Sequence, residues 1–249
     1  MTIDVVDLRE FYLSPLGYAV RRLLRARVER IWLQTRGERV LALGYGLPLL
    51  RPFRNQSAEL VAMMPAEQGV AYWPNEGPNI SCFVNIRDLP LPDESVDRVI
   101  VMHALESAVE PHVLLQEVWR VMKSGGSLLL IVPNRRSLWA HVDNTPFGTG
   151  QPYSGAQIKA ILRDQGFLTN RVHHALYMPP SSSRLNLSLA DTLEKYGERL
   201  APGLGGVLLV EASKQLYAPL LTKARVTPRR LVLPLPSLSG AGSPAPVPS

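Results

Sequence analysis

The stretch RVLALGYGLPLL, residues 39–50, decides the fold. Its apolar run from Val40 to Leu43 predicts a short buried strand, and Gly44-Tyr45-Gly46 then breaks the run. A backbone without bulky side chains can lie against a ligand at such a turn. In open α/β sheets the ligand crevice lies at the carboxyl ends of the strands, so this turn is the first candidate site. A Gly-x-Gly pair is also common in ordinary turns, and the segments downstream decide between the two interpretations.

Apolar strands and amphipathic helices alternate after the turn. We predict strands at 59–64, 80–84, 96–102, 127–132, 167–177 and 206–211, and helices at 111–122, 154–165 and near 185–200. Directly after the turn, Pro48 and Pro52 disfavour a regular helix, because proline removes a hydrogen-bond donor and clashes with the preceding turn. The alternation predicts an α/β protein with a parallel sheet covered on both faces.

An amphipathic helix is predicted at 14–33, before the first strand. Its apolar positions recur at helical spacing, and Arg21, Arg22 and Arg25 lie between them. We interpret the arginines as a solvated helix face, since no aromatic residues interleave with them as single-strand nucleic-acid binding would need.

Length and charge limit the classes of function. The 249 residues, 46% of them hydrophobic, suffice for one domain of ordinary size and an extension. The formal net charge of +6 includes four bases and no acids after Tyr217, which leaves +2 for residues 1–217. A nearly balanced domain disfavours a specific nucleic-acid partner.

The remaining composition indicates an intracellular protein without a metal site. No apolar run reaches the roughly 18 residues of a membrane span, and the acidic N-terminus does not resemble a signal peptide, so we expect a cytoplasmic protein. The single cysteine, Cys82, excludes an intramolecular disulfide and is expected in the core. On a strand, His173 and His174 would face opposite sides, and no metal is expected there.

Three segments carry a resemblance to a known family. VLALGYG, DLPLPDESVDRVIVMHALE and EVWRVMKSGGSLLLIVPN occur between Val40 and Asn134 in the order and spacing of class I S-adenosylmethionine (SAM)-dependent methyltransferases of type 11. The resemblance implies a Rossmann-like fold, with a mostly parallel seven-stranded sheet and helices on both faces. It divides the chain into an N-terminal helical segment (1–38), a methyltransferase-like domain (39–217) and a Pro/Ser-rich basic tail (218–249), whose composition predicts disorder.

The resemblance also implies a SAM site. Gly44, Tyr45 and Gly46 would pass under the methionine and ribose parts of SAM. Asn85, with Ile86 beside it, would hold the adenine, since an amide carbonyl can accept from its amino group. The positions that the resemblance assigns to SAM are Gly44, Tyr45, Gly46, Met64, Asn85, Ile86 and Met102.

The chain departs from the family at three of its positions. Ala42 replaces a common acid, Pro48 replaces the third glycine, and Met64 replaces the acid that binds the ribose hydroxyls. A lost carboxylate–hydroxyl bond costs roughly 1.5–3 kcal/mol, or about one to two decades of affinity. Glu67, three residues further on, is the candidate replacement.

Catalytic and substrate positions follow from the ends of strands four and five. His103 is either a general base or a partly buried polar residue, because methyl transfer often needs only proximity and alignment. Arg135 and Arg136 could recognise an anionic group of the acceptor, and Tyr153 could contact it. A loop held in place by Phe147 and Tyr153 is the alternative.

The leading hypothesis is therefore a SAM-dependent methyltransferase that acts on a small-molecule acceptor. The alternative, motivated by Ala42, Pro48 and Met64, is a catalytically silent methyltransferase fold that binds a protein partner through the C-terminal tail. A fold-level analogy does not identify the acceptor.

Overall fold

The computed structural model describes residues 3–214, which contain one seven-stranded sheet in the order β3-β2-β1-β4-β5-β7-β6. Only β7 runs antiparallel to its neighbours, β5 and β6. The strands are β1 (Arg39–Gly44), β2 (Glu59–Pro65), β3 (Ser81–Val84), β4 (Val96–Met102), β5 (Met122–Pro133), β6 (Phe167–Ala175) and β7 (Val207–Lys214).

Six helices are described. They are α1 (Val5–Leu13), α2 (Pro15–Ile31), α3 (Pro111–Val121), α4 (Gly155–Asp164), α5 (Arg184–Ser188) and α6 (Ala190–Leu200). The prolines after the glycine turn have the predicted effect, since only two short 3-10 turns form there, Leu47–Leu49 and Arg51–Phe53. The predicted class I methyltransferase fold is confirmed.

The sheet is buried on both faces because successive strand residues point to opposite sides. In β1, Ala42 belongs to the apolar cluster under α1 and α2, whereas Leu41 and Leu43 belong to the cluster under α3 and α4. This two-sided burial accounts for the continuous apolar runs in the sequence.

The helix α1 was not predicted from the sequence. Asp4 caps its start by accepting a hydrogen bond from Val6 N (2.7 Å), and Ser14 ends it and caps α2 through Gly17 N (3.0 Å). Leu8 and Tyr12, one turn apart, are its buried residues. Because Val5 N donates to Gln68 O (2.8 Å), α1 lies over the loop that follows β2.

Cys82 is exposed on the edge strand β3, so its expected place in the core was wrong. Cys82 and Phe83 point to opposite faces of the sheet and are both exposed, so neither face of this edge strand is fully covered there. Within residues 3–214, no helix is long and apolar enough to cross a bilayer. The predicted disordered tail, 218–249, lies outside the described residues, and the division at residue 38 remains a prediction.

Candidate active site

A cavity of about 120 Å³ opens between the loops that follow β2, β3 and β4. These loops leave the carboxyl ends of parallel strands, which is where α/β sheets bind ligands. The side chains that line the cavity include those of Glu67, Asn85, Ile86, His103, Ala104 and Ser107. The cavity thus brings together Asn85, Ile86 and His103, three of the residues predicted from the sequence.

The glycine turn lies beside this cavity and is closely packed. Gly44 has φ +82°, and a Cβ atom on it would lie 2.2 Å from the carbonyl oxygen of Met102. A Cβ atom on Gly46 would lie 2.9 Å from the Cβ atom of Ala42. The turn therefore requires glycine at Gly44 and is complemented by the small Ala42, where the family commonly has an acid.

A buried chain of polar side chains adjoins the turn. His103 follows β4 with φ +54°, a left-handed conformation that histidine adopts more often than most residues. Its Nε2 atom lies 2.8 Å from the Tyr12 hydroxyl, and its Nδ1 atom lies 3.2 Å from Glu106 Oε1. Gln68 Nε2 donates to the His103 carbonyl oxygen at 2.7 Å. The loop after β2 and helix α1 thus both form hydrogen bonds with His103, the residue that follows β4.

One tautomer of a neutral His103 satisfies both ring hydrogen bonds. Burial, with smaller contributions from Tyr45 and Glu106, raises the pKa of Tyr12 well above its usual value. In that tautomer the protonated Tyr12 hydroxyl donates to Nε2, and the proton on Nδ1 is donated to Glu106. A carboxylate that orients the imidazole through Nδ1 leaves Nε2 with the lone pair of a general base.

Aromatic side chains close the site on the side of the glycine turn. The Tyr45 ring stacks on Tyr12 with centroids 5.7 Å apart, and the Phe147 ring centroid lies 5.0 Å from that of His103. Tyr45 is 5% exposed and His103 is 1% exposed. A proton acceptor in such a dry environment is screened little from neighbouring charges.

The other predicted residues lie elsewhere. Met64 and Met102 are fully buried in the cluster under α1 and α2, and they do not line the cavity. Arg135 and Arg136 are exposed on the loop after β5. The Tyr153 ring is buried, and its hydroxyl donates to Leu105 O at 3.4 Å.

Sequence reasoning missed Glu106 and Gln68 as site residues. Glu106 Oε2 and Gln68 Oε1 are buried without a hydrogen-bond partner among the described residues. The spacing of His103 and Glu106, three residues apart beyond a strand end, was the available signal for that pair. The partner of Tyr12 is 91 residues away, and no local pattern indicates it.

Among the described residues, no group of three or more histidine, cysteine, aspartate or glutamate side chains could hold a metal ion. His173 and His174 follow each other on β6. Burial lowers the pKa of both imidazoles, which favours their neutral forms.

Residues 41–130 match the family described as methyltransferase domain. The matched segment runs from β1 into β5 and contains the residues that line the cavity. The matched segment and the fold together support a methyltransferase domain of the class I SAM-dependent type. A Mycobacterium tuberculosis protein named as a probable S-adenosylmethionine-dependent methyltransferase is 29% identical to it over 128 residues. That match covers 50% of this chain and 45% of the relative, so the chain spans about half the length of the curated relatives it matches.

Solved structures share the fold of the methyltransferase domain at low sequence identity. A SAM-dependent methyltransferase of Thermotoga maritima superposes with a TM-score of 0.60 at 17% identity, covering 85% of this chain and 96% of its own. A Haloferax volcanii protein, solved as a complex with the Trm112 methyltransferase activator, gives 0.61 at 21% identity, covering 86% and 100%. Both similarities support the fold assignment.

Proposed function

We propose that this domain binds SAM at the carboxyl ends of β1 to β4 and transfers its methyl group to a small acceptor. The observation that carries the proposal is the cavity between the loops after β2, β3 and β4. It lies where α/β folds hold a nucleotide-like ligand. Each of the three loops contributes a polar residue to it, namely Glu67, Asn85 and His103.

The residues that line the cavity fit an adenosine. Ile86, Ala104 and Val113 supply an apolar wall, and Asn85 and Glu67 supply polar atoms. Asn85 Oδ1 accepts from Arg87 N at 3.0 Å, which leaves a second lone pair for the adenine amino group. Met64 is buried in the core, so we assign the contact with the ribose hydroxyls to the exposed carboxylate of Glu67.

The methionine part of SAM requires more room than the described arrangement offers. Sites for drug-sized ligands measure roughly 300–1,000 Å³, whereas this cavity measures about 120 Å³. Gly44, Tyr45 and Gly46 are buried, and Tyr12 covers them from α1. We therefore propose that α1 withdraws Tyr12 from His103 when SAM binds, which exposes the glycine turn.

The same movement would prepare His103 for catalysis. SAM supplies an electrophilic methyl group on its sulfonium when it is bound. Nε2 of His103, freed from Tyr12, would accept the proton of an acceptor hydroxyl or amine, while Glu106 holds the ring through Nδ1. The Tyr12 hydroxyl marks the position of the acceptor group. Orientation and exclusion of water would supply the rest of the rate enhancement.

The loop after β5 carries the residues proposed to contact the acceptor. Arg135 and Arg136 are exposed and accessible to an anionic group of the acceptor. The backbone of Tyr153 holds this loop, because Arg135 N donates to Tyr153 O at 3.0 Å, and the Tyr153 ring is buried. Its contribution would then be to position the arginines rather than to contact the acceptor.

Calorimetric titration of the full chain with SAM and with S-adenosylhomocysteine tests the proposal. We expect dissociation constants of about 1 µM to 100 µM, typical of ligands with roughly −5.5 to −8 kcal/mol of binding free energy. Asn85→Ala should weaken binding by about tenfold, the value of one hydrogen bond, whereas the exposed Asn55→Ala should not. No heat at millimolar ligand would refute SAM binding and would favour the silent alternative, which no structural observation or comparison otherwise supports.

A further inference from the structure

An open groove of about 750 Å³ lies on the far side of Tyr12 and Tyr45 from His103. Its walls come from α1, α2, the 3-10 turns and the loop 71–76. We call it the arginine groove, because five arginines line it: Arg9, Arg21, Arg25, Arg51 and Arg54. Glu76 is the one acidic residue among its lining side chains. The volume is within the range of small-molecule sites, roughly 300–1,000 Å³.

None of these arginines forms an ion pair with a side chain of residues 3–214. Their neighbours on α2 differ, since Arg22 pairs with Asp191 and Arg27 pairs with Glu198. Arg25 donates only to the carbonyl oxygen of Pro48 (2.8 Å), and its Nε atom has no partner among the described residues. The groove therefore carries an excess of positive charge that the described part of the chain does not neutralise.

The positive charges also act on one another. Burial first, and then the charges of Arg21 and Arg51, lower the pKa of Arg25. Arg9 and Arg21 are close enough to the Tyr45 hydroxyl to oppose the rise of its pKa that burial causes. Positive charges gathered in a concave site raise the local concentration of anions. Guanidinium groups also match the geometry of phosphate oxygens.

Aromatic rings complete the groove beside the charges. Tyr45, Tyr72 and Trp73 line it, and Tyr72 is 61% exposed. The loop that carries two of these rings is held in place, since Tyr72 donates to Gly77 O (2.9 Å) and Arg54 donates to Glu76 O (2.6 Å). Flat apolar surfaces next to guanidinium groups suit a ligand with a planar organic part and an anionic part.

We propose that the arginine groove binds a small organic molecule that carries a phosphate or diphosphate group. The anionic group would lie among Arg9, Arg21, Arg25 and Arg51, and the organic part would lie against the rings of Tyr72 and Trp73. A small ligand fits better than a nucleic acid, because the uncompensated bases lie in one bounded groove and the first 217 residues carry a net charge of only +2. The proposal does not rest on methyl transfer, since the adenosine cavity and this groove have no lining residue in common. The groove does share Tyr12 and Tyr45 with the region proposed for the methionine part of SAM.

The test uses the full chain and three soluble probes at about 0.15 M salt, where long-range attraction is largely screened. Uridine diphosphate and inorganic pyrophosphate should bind in calorimetry, and uridine should not. Pyrophosphate should bind more weakly than uridine diphosphate because it cannot contact the rings. The probes contain uridine rather than adenosine so that they do not bind in the cavity proposed for the adenosine part of SAM.

Matched variants locate the site. Arg21→Gln and Arg51→Gln should each weaken uridine diphosphate binding by roughly tenfold, as expected for the loss of one charge-assisted hydrogen bond. Arg30 lies on α2 like Arg21, is exposed, and has no ion pair within residues 3–214. Arg30→Gln removes the same charge outside the groove and should change the affinity for uridine diphosphate less than twofold. Arg25 is left intact because its bond to Pro48 O supports the groove wall.

Four results would overturn the proposal: equal losses in Arg21→Gln and Arg30→Gln, uridine binding as tight as that of its diphosphate, no diphosphate binding below about 10 mM, or tight binding of a single-stranded 12-nucleotide RNA alone. A SAM titration that fails while uridine diphosphate binds would refute the methyltransferase proposal and leave this one standing.

Discussion

The Tyr12 hydroxyl lies 2.8 Å from His103 Nε2, although 91 residues separate the two in the sequence. This bond joins the helix α1 to the residue that follows β4 and lines the cavity. It occupies the one lone pair that a general base at His103 would need. The conformation described is therefore closed, and the proposed chemistry depends on opening it.

Removal of this hydroxyl should destabilise the domain. Tyr12→Phe leaves the buried Nε2 atom without a partner, and we expect a loss of about 1–3 kcal/mol in the free energy of unfolding. Urea denaturation measures this quantity. Tyr18→Phe is the control, because Tyr18 is exposed, and it should change stability by less than about 0.5 kcal/mol. Equal effects of the two variants would show that the bond does not hold the closed conformation.

Comparing two glycines with positive φ distinguishes the cost of a left-handed backbone from the cost of a steric clash. Gly44 (φ +82°) lies against the Met102 carbonyl, whereas a Cβ atom on Gly37 (φ +77°) would meet no atom within 4 Å. Gly37→Ala should cost about 1–2 kcal/mol from the left-handed conformation alone. Gly44→Ala should cost at least about 2 kcal/mol more, because β1 and β4 must move apart. Thermal and urea unfolding of both variants measure these losses of stability. Similar losses in the two variants would contradict the close approach of β1 and β4.

Stability should fall at alkaline pH. Burial, with a smaller contribution from Glu106, raises the pKa of Tyr153 to about 12, from 10.0. Between these two values the folded state binds more protons than the unfolded state, so the free energy of unfolding decreases as the pH rises from 10 to 12. Tyr153→Phe should reduce this decrease. An unchanged pH dependence in the variant would show that Tyr153 ionises normally in the folded protein.

Arg120 should support the adenosine cavity from a distance. It donates to the carbonyl oxygens of Leu89 and Leu91, both at 2.9 Å, and pairs with Glu117, which fixes the loop that begins at Asn85. Arg120→Ala should therefore cost roughly 2 kcal/mol of stability and weaken S-adenosylhomocysteine binding in calorimetry.

The control for this variant is Arg163→Ala, whose side chain is exposed and pairs only with the adjacent Asp164. It should leave both stability and affinity nearly unchanged. If Arg120→Ala loses stability but keeps full affinity, the loop does not position Asn85.

The strands of the sheet were largely predictable because their apolar runs are bounded by turn residues. The strand Val96–Met102 agrees with the prediction to the residue, since Pro92 to Ser95 form a clear turn before it. The helix α1 was missed because it is short and buries only Leu8 and Tyr12. Two apolar positions one turn apart do not distinguish a helix from an ordinary terminus.

The site was less predictable because it depends on contacts between distant segments. The ends of the strands indicated Asn85 and His103, and the structure brings both to one cavity. No local pattern shows that Tyr12 reaches His103, or that Arg21 and Arg25 face a groove while Arg22 meets Asp191. Charge patterning gives the face of a helix, but the acids that neutralise that face come from tertiary packing.

A crystal structure of the full chain with S-adenosylhomocysteine tests the central claim most directly. The account predicts the adenine against Asn85 and Ile86, the homocysteine part over the glycine turn, and the Tyr12 hydroxyl displaced from His103. A ligand bound elsewhere, or a ligand in the crevice with the Tyr12–His103 bond intact, would contradict it.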